Sequence, residues 1–189
     1  MSAVFTIGHS NHSLERFLAL LAGAGVEMVA DVRSQPASRH FPHFGKAALA
    51  KALQEAGVSY LFLGRELGGR PTDASLFHDG VADFERMAET ARFREGLKRV
   101  MADAMWLRLA LMCSEKEPLD CHRCLLVGRA LSADGVEVRH ILADGGTVTQ
   151  KDIEAELVGA QGALALEGDA LAAAYRERAR KIAFRQRTS

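Results

Sequence analysis

The stretch 107–112, LRLALM, is followed by CSE at 113–115 and, after five further residues, by CHR at 121–123. The first run is apolar and has the length of a buried strand, while CLLVGRAL at 124–131 carries apolar side chains at helical spacing. A thiol, a carboxylate, an imidazole and a guanidinium therefore lie in one turn between a strand and a helix. Open α/β sheets bind their ligands at such turns. The stretch predicts an α/β fold with a polar site at the carboxyl edge of its sheet.

Strand-like and helix-like segments alternate along the rest of the chain. The expected strands are 3–7, 27–32, 58–63, 106–112 and 136–142. A long helical segment at 81–104 has an expected break near Thr90. Strands that alternate with helices favour a mainly parallel sheet with helices on both faces. The sequence thus predicts a single-domain, three-layer, Rossmann-like α/β sandwich.

The length and composition fit one α/β domain over residues 1–189. Within it we expect a core at about 4–145, followed by a C-terminal helical extension at 149–187. A hydrophobic content of 48% and a charged content of 25% are ordinary for a soluble globular protein. No apolar run approaches the roughly 18–20 residues needed to cross a bilayer, so we expect no membrane partner.

The formal net charge is zero. Proteins that bind nucleic acid through bulk phosphate attraction usually carry a basic excess, so a nucleic-acid partner is not favoured. The last helix carries a basic cluster that is most simply a solvated face but could touch nucleic acid. Its members are Arg176, Arg178, Arg180, Lys181, Arg185 and Arg187. No pattern in the sequence indicates an oligomeric state.

The three cysteines, Cys113, Cys121 and Cys124, all lie in one short segment. An odd number in one segment argues against a disulfide framework and favours a reducing compartment. The first residues do not show the charged segment and long apolar segment of a signal peptide. We therefore expect a cytoplasmic protein.

Residues with reactive or polar side chains follow the predicted strands. Because parallel strands end at one edge of a sheet, we expect these residues to share a site. The candidate catalytic residues are His9, Cys113, Glu115, Cys121 and His122. The candidate substrate-binding residues are Ser10, Asp31, Arg33, Gly68, Gly69 and Arg123.

The thiols allow two interpretations. Cys113 or Cys121 is a candidate nucleophile that a neighbouring imidazole or carboxylate could activate. Alternatively, Glu115 and Asp31 could exchange protons with the substrate while the thiols serve as buried core residues.

The binding residues also allow two interpretations. Arg33 and Arg123 could hold an anion, Ser10 could donate to it, and the backbone amides at 68–69 could approach a phosphate. Alternatively, Arg33 forms a structural salt bridge with Asp31, and 68–69 is a flexible turn.

Six residues are of the types that bind transition metals. They are Cys113, Cys121, His122, Cys124, His9 and His140. A strong zinc signature has two separated ligand pairs, whereas this chain has one Cys-x-x-Cys and scattered histidines, so we expect no metal site. The same pair, Cys121 and Cys124, leaves open a redox function through a disulfide.

Six short motifs occur in order along most of the chain. They are TIGHS at 6–10, DVR at 31–33 with Pro36 and Ser38, LGG at 67–69, MCSE at 112–115, CHR at 121–123 and HI at 140–141. Together they resemble the family called domain of unknown function 488, which occurs in bacteria and archaea. The resemblance implies the fold and the choice of site residues, but it implies no particular reaction. Cys124 is not a hallmark of that family, which weakens a redox or metal role for this residue.

The sequence predicts an enzyme of transferase or hydrolase type that acts on a small anionic, nucleotide-like molecule at the carboxyl edge of the sheet. Hydride transfer is disfavoured because the chain has no dinucleotide-binding fingerprint, and the sequence assigns no cofactor. One alternative is a regulatory module that binds a nucleotide or nucleic acid without turnover. A second alternative is a thiol redox or metal-binding protein.

Overall fold

The computed structural model of the protein describes residues 3–159 and 167–186. Its strands are, in chain order, β1 (Val4–Gly8), β2 (Met28–Asp31), β3 (Ser59–Phe62), β4 (Phe77–His78), β5 (Val81–Ala82), β6 (Leu109–Cys113), β7 (Val138–Ile141) and β8 (Thr147–Thr149). The α-helices are α1 (Leu14–Gly23), α2 (Lys46–Glu55), α3 (Gly64–Leu67), α4 (Phe84–Glu89), α5 (Ala91–Asp103), α6 (Arg129–Ala133), α7 (Gln150–Gly159) and α8 (Glu167–Ile182). A π-helix at Arg123–Gly128 runs directly into α6.

The central sheet has the strand order β3-β2-β6-β1-β7-β8. Its first five strands pair in parallel, and the edge strand β8 is antiparallel to β7. The register sets Gly8 beside Cys113 and Asp31 beside Met112. Three neighbouring strands, β1, β2 and β6, therefore end at the same level. Strands β4 and β5 form a separate hairpin.

Helices cover both faces of the sheet. Helices α1 and α2 pack on one face, and α3 to α8 with the π-helix pack on the other. Strand β6 shows the division, because Ala110 and Met112 belong to the first core while Leu109, Leu111 and Cys113 belong to the second. This alternation follows from the period of two along a strand. The predicted three-layer α/β sandwich with a mainly parallel sheet is confirmed.

Local capping explains where two helices begin. Ser13 accepts a hydrogen bond from the backbone N–H of Arg16 at 3.2 Å and starts α1. Thr90 accepts from the backbone N–H of Phe93 at 3.2 Å and starts α5. A side chain that satisfies a free N–H at a helix start favours that boundary. The expected break near Thr90 is therefore confirmed, because α4 ends and α5 begins there.

Two local features differ from the expectations. The antiparallel edge strand β8 was not predicted by the sequence pattern, and its Thr147 to Thr149 backbone pairs with Ile141 to Arg139. The helix that the apolar spacing at 124–131 predicts begins as a π-helix at Arg123. The carboxylate of Asp120, which lies shortly before this helix, pairs with Arg178 of α8.

The C-terminal chain returns to the hairpin of β4 and β5. The backbone N–H of Ala82 donates to the carbonyl oxygen of Phe184 at 2.9 Å, and that of Gln186 donates to Gly80 at 2.9 Å. Residues 160–166 and 187 of the predicted extension lie outside the described residues, and the domain boundaries stay predictions. Within 3–159 and 167–186, no helix is long and apolar enough to cross a membrane.

Candidate functional site

The site begins where β1, β2 and β6 end. The backbone N–H of His9 donates to the carbonyl oxygen of Cys113 at 2.8 Å, and that of Val32 donates to Met112 at 3.0 Å. These bonds continue the sheet by one residue beyond its strands. The segments that leave the three strands therefore start side by side, as expected for the carboxyl edge of a parallel sheet.

A cavity of about 230 Å³ opens beside these strand ends. Six of the eleven candidate residues line it, and they are Arg33, Gly69, Cys113, Glu115, Cys121 and His122. The other five, His9, Ser10, Asp31, Gly68 and Arg123, lie outside its wall. The structure therefore brings six of the predicted residues to one cavity wall and places the other five behind it, and their functional roles stay predictions.

Two thiols, an imidazole and a carboxylate meet on the wall of this cavity. The Sγ atom of Cys113 lies 3.5 Å from Oε2 of Glu115 and 3.6 Å from Nδ1 of His122. The Sγ atom of Cys121 lies 3.8 Å from the same Glu115 oxygen and 3.9 Å from the same His122 nitrogen. We call these four residues the thiol cluster. Its sulfur atoms are nearly inaccessible, because Cys113 is 4% exposed and Cys121 is 1% exposed.

Two neighbours fix the orientation of the His122 ring. Its Nε2–H donates to the carbonyl oxygen of Val32 at 3.0 Å. A carbonyl can only accept, so Nε2 carries a proton and Nδ1 faces the two sulfurs. Gly69 lies against the other side of the ring, where a Cβ atom would come within 2.7 Å of Cγ of His122. The ring therefore packs directly against the glycine loop that the sequence singled out.

The surroundings shift the pKa values of the two thiols in opposite directions. The hydrogen bond to Cys121, together with burial, raises the pKa of Cys113 well above its ordinary value. Burial opposes ionisation of Cys121, yet the hydrogen bond from Cys113 and the charges of Arg123 and His122 hold the pKa of Cys121 well below its ordinary value. Burial alone would lower the pKa of His122, but the Cys121 thiolate outweighs burial and raises it. The cluster thus favours a Cys121 thiolate beside a His122 imidazolium.

Arg123 supports the loop that carries Glu115. Its guanidinium donates to the carbonyl oxygens of Glu115 at 2.6 Å and Lys116 at 2.9 Å. Its side chain is fully buried, and its Nε atom has no hydrogen-bond partner among the described residues. Gly8 lets this loop come close, because a Cβ atom there would lie 1.9 Å from the Glu115 carbonyl oxygen. The role of Arg123 in holding a substrate stays a prediction.

Arg33 and Asp31 form a buried pair at the end of β2. Arg33 donates from Nε to Oδ1 of Asp31 at 2.9 Å and from Nη2 to Oδ2 at 2.6 Å. The hydroxyl of Tyr60 donates to Oδ2 of Asp31 at 2.8 Å, and Nη1 of Arg33 lies 3.2 Å from Nε2 of His9. The His9 ring stacks on Phe44 at 4.3 Å. The structural salt bridge weighed from the sequence is present, and Arg33 also reaches the cavity wall.

Ser10 and Gly68 have local contacts. Ser10 has a positive φ of 47°, and its hydroxyl donates to the Asn11 side chain at 3.2 Å. Gly68 packs tightly, because a Cβ atom there would lie 2.3 Å from the carbonyl oxygen of Gly64 and 2.3 Å from Oγ of Ser34. Both positions shape the backbone near the cavity, and their substrate roles stay predictions.

Cys124 belongs to a different network. Its Sγ lies 3.7 Å from Oε1 of Gln150, which also accepts from Nε2 of His140 at 2.9 Å. The Nδ1 atom of His140 lies 2.8 Å from the hydroxyl of Thr6. Burial raises the pKa of Cys124 to about 12. The network continues through Tyr175, whose hydroxyl receives a hydrogen bond from Gln150 at 2.6 Å and donates to Glu154 at 2.8 Å.

The six cysteine and histidine residues of metal-binding type therefore separate into groups. Among the described residues, the ligand atoms of Cys113, Cys121 and His122 all lie within 4.8 Å of one another. The spacing in sequence suggested Cys121 with Cys124, whereas the fold places Cys121 with Cys113. The strand-to-helix turn brings Cys113 back to Cys121 across seven intervening residues.

Sequence reasoning missed part of the cavity wall. Residues Ile182, Ala183 and Phe184 line it, and Arg70 lies over the Phe184 ring at 5.4 Å. The position of Arg70 directly after the glycines of the LGG motif was a usable signal for its placement. The C-terminal residues gave no such signal, because their position depends on the long return of the chain to the hairpin.

The family model described as "Domain of unknown function DUF488" matches residues 13–130, more than half of the chain. The chain belongs to this family. The DUF488 match includes the thiol cluster and Arg123, whereas His9, His140 and the C-terminal part of the cavity wall lie outside it. No curated protein and no solved structure matches the chain.

Proposed function

We propose that this DUF488 protein is an enzyme of transferase or hydrolase type that acts on a small anionic molecule in the cavity at the carboxyl edge of its sheet. The observation that carries the proposal is the thiol cluster itself, because both sulfurs lie 3.5–3.9 Å from the Glu115 carboxylate and the His122 imidazole on the wall of one cavity. Titratable groups that perturb each other's pKa in a cleft mark candidate catalytic sites.

The members of the thiol cluster differ in what they can do. The Cys121 thiolate is the electron-rich atom, and His122 and Cys113 stabilise its charge. Glu115 is exposed at the cavity, so its carboxylate can exchange protons with a bound molecule and with water. The thiolate can attack the substrate directly, or it can bind a metal ion. In both cases the reaction takes place in the same cavity.

An arginine available on the wall supports an anionic substrate, because Asp31 already neutralises Arg33 and leaves Arg70 to contact an anion. Arg33 and Arg70 both line the cavity, on the side of the wall formed by the segments that follow β2 and α3. Arg70 is exposed and lies over the Phe184 ring, so its guanidinium can turn toward a phosphate or a carboxylate. The cavity is small, which favours a small molecule over a polymer. Nucleotides are the first class to test.

The test compares turnover and affinity in matched variants. Inorganic phosphate and a panel of nucleoside mono- and diphosphates are the probes, with affinity from calorimetry and turnover from phosphorus NMR. We expect Cys121→Ala and Glu115→Gln to lower turnover by about 100-fold or more while sparing affinity. Arg70→Ala should weaken affinity, and Cys124→Ser should change neither.

Two results would contradict the enzyme proposal. Turnover that survives Cys121→Ala together with Glu115→Gln would remove the thiol cluster from the reaction. A nucleotide that binds in the cavity and is not converted by the wild-type protein would favour the regulatory binding module instead.

A further inference from the structure

The distances within the thiol cluster match those of a tetrahedral metal site. With zinc–sulfur bonds of about 2.3 Å and zinc–nitrogen bonds of about 2.0–2.1 Å, neighbouring sulfur and nitrogen ligands lie roughly 3.5 Å apart. Nδ1 of His122 lies 3.6 Å from Sγ of Cys113 and 3.9 Å from Sγ of Cys121. All three ligand atoms lie within 4.8 Å of one another. An ion can therefore sit among them after only small side-chain movements.

The second ring nitrogen of His122 makes the kind of hydrogen bond that metal-bound histidines make. Nε2–H donates to the carbonyl oxygen of Val32 at 3.0 Å, which directs Nδ1 toward the sulfurs. Metal-bound histidines commonly donate their other N–H to a carbonyl or carboxylate, which fixes the ring and its tautomer. The backbone N–H of Arg123 donates to Sγ of Cys121 at 3.5 Å and supports the thiolate in the same way.

The donor atoms select the kind of metal. Thiolate and imidazole ligands favour zinc and similar transition metals over magnesium or calcium, which prefer oxygen. Two thiolates and a neutral imidazole would balance the charge of a divalent ion. Such a neutral unit suits the nearly inaccessible sulfurs of Cys113 and Cys121 better than two separate charges do.

The three ligands leave one coordination position, and it can face the cavity. Cys113, Cys121 and His122 all line the cavity, as does Glu115. Oε2 of Glu115 lies 3.5 Å and 3.8 Å from the two sulfurs, beside the place where a fourth ligand would sit. Catalytic zinc sites have three protein ligands and an open position for water or substrate. Structural sites, in contrast, are closed by a fourth protein ligand.

We propose that Cys113, Cys121 and His122 bind one divalent transition metal ion, zinc in the first place, with an open position toward the cavity and Glu115 beside it. This inference rests on the proposed function only for the use of that open position. In hydrolysis, the bound ion would supply Lewis-acid activation of a water, Glu115 would accept one proton from that water, and the water oxygen would form a bond to the electrophilic atom of the substrate. The leaving group would depart with its electron pair and take the proton from Glu115.

The experiment titrates the reduced, metal-free full chain with Co²⁺, followed by its visible and near-ultraviolet absorption, and then displaces Co²⁺ with Zn²⁺. We expect one equivalent of Co²⁺ with thiolate-to-cobalt charge-transfer bands and tetrahedral d–d bands. Cys113→Ser, Cys121→Ser and His122→Ala should each weaken binding by more than the roughly 10- to 100-fold typical of losing an outer-shell partner. Cys124→Ser is the matched control and should bind like the wild type, and circular dichroism checks that each variant is folded.

Results that contradict the metal site can be distinguished from results that contradict the proposed function. Absence of charge-transfer bands in the wild-type protein overturns the metal site, and so does equal loss of binding in Cys124→Ser and Cys121→Ser. Turnover of a nucleotide by protein shown to be metal-free overturns the use of the open position in the reaction, while leaving the proposed enzyme in place. Tight cobalt binding without turnover of any probe supports the metal site and counts against the proposed function.

Discussion

Gly69 lies against the imidazole of His122, so closely that a Cβ atom at position 69 would come within 2.7 Å of Cγ of His122. On another side of the same ring, Nε2 donates to Val32 at 3.0 Å. The ring is therefore held between the segment that follows β2 and the loop that follows α3. The orientation of its Nδ1 toward the two sulfurs depends on both.

Gly69→Ala should disturb the site more than the fold. The added methyl group must push the His122 ring away, because real Cβ contacts below 3.0 Å are essentially absent. We expect cobalt affinity to fall by about 10- to 100-fold, as it does when a metal ligand loses its positioning. Gly23→Ala is the control, because nothing lies within 4 Å of a Cβ atom at position 23. Unchanged cobalt affinity in Gly69→Ala would mean that Gly69 does not position the ring.

Mild oxidation of the metal-free protein should join Cys113 to Cys121. Their sulfurs lie within 4.8 Å of each other, whereas Cys124 contacts Gln150 and its pKa is raised to about 12 by burial. A thiol must ionise to attack, so Cys124 should react slowly. Peptide mapping by mass spectrometry should find the Cys113–Cys121 disulfide in the wild type and in Cys124→Ser. A Cys121–Cys124 disulfide as the main product would restore the redox alternative that the Cys-x-x-Cys spacing suggested.

Asp31→Asn should destabilise the fold strongly. The substitution leaves the Arg33 guanidinium, which is 4% exposed, without its carboxylate partner. Breaking a buried ion pair from one side typically costs about 3–5 kcal/mol. Urea unfolding should show this loss, and Tyr60→Phe, which removes one hydrogen bond to the same carboxylate, should cost about 1.5–3 kcal/mol. A loss below 1 kcal/mol in Asp31→Asn, roughly the value of a solvent-exposed pair, would contradict the structural role.

The stability of the protein should fall between about pH 6.5 and pH 4. Burial lowers the pKa of His140 from 6.5 to about 4. The folded state therefore resists a proton that the unfolded chain accepts, so stability is complete above pH 6.5 and is lost as the pH falls through 4. The full effect of a fully buried group with this shift is about 3 kcal/mol.

The His140→Gln variant isolates this effect. Its free energy of unfolding, measured in urea at several pH values, should vary less between pH 6.5 and pH 4 than that of the wild type. Some dependence should remain, because burial also lowers the pKa of His9 to about 4. Parallel pH profiles for the two proteins would show that His140 is not a buried neutral group.

The sheet could be predicted well from the sequence because each inner strand is an apolar run with a clear end. Strand β6, for example, is entirely buried, and the polar residues directly after it mark the edge. Strand β8 could not be predicted, since Thr147–Thr149 has only three residues and gains its pairing from β7. The π-helix has the same apolar spacing as an α-helix over one turn, so the pattern could not distinguish them.

The sequence could predict where the candidate site lies, but not which of its residues contact one another. The strand ends identified Cys113, Cys121 and His122, but no spacing rule indicates that Cys113 meets Cys121 while Cys124 meets Gln150. These contacts depend on how the strand-to-helix turn closes. The cavity wall at 182–184 depends on the return of α8 to the hairpin, which is a long-range contact without a local signature.

The central claim is that two sulfurs and one imidazole nitrogen meet at one point of the cavity wall. A crystal structure of the zinc-loaded protein, with an anomalous difference map recorded at the zinc edge, tests it most directly. We expect one strong peak at about 2.3 Å from Sγ of both Cys113 and Cys121 and at about 2.0–2.1 Å from Nδ1 of His122. A map without a peak at this position, or with the two sulfur atoms pointing into separate parts of the molecule, would contradict it.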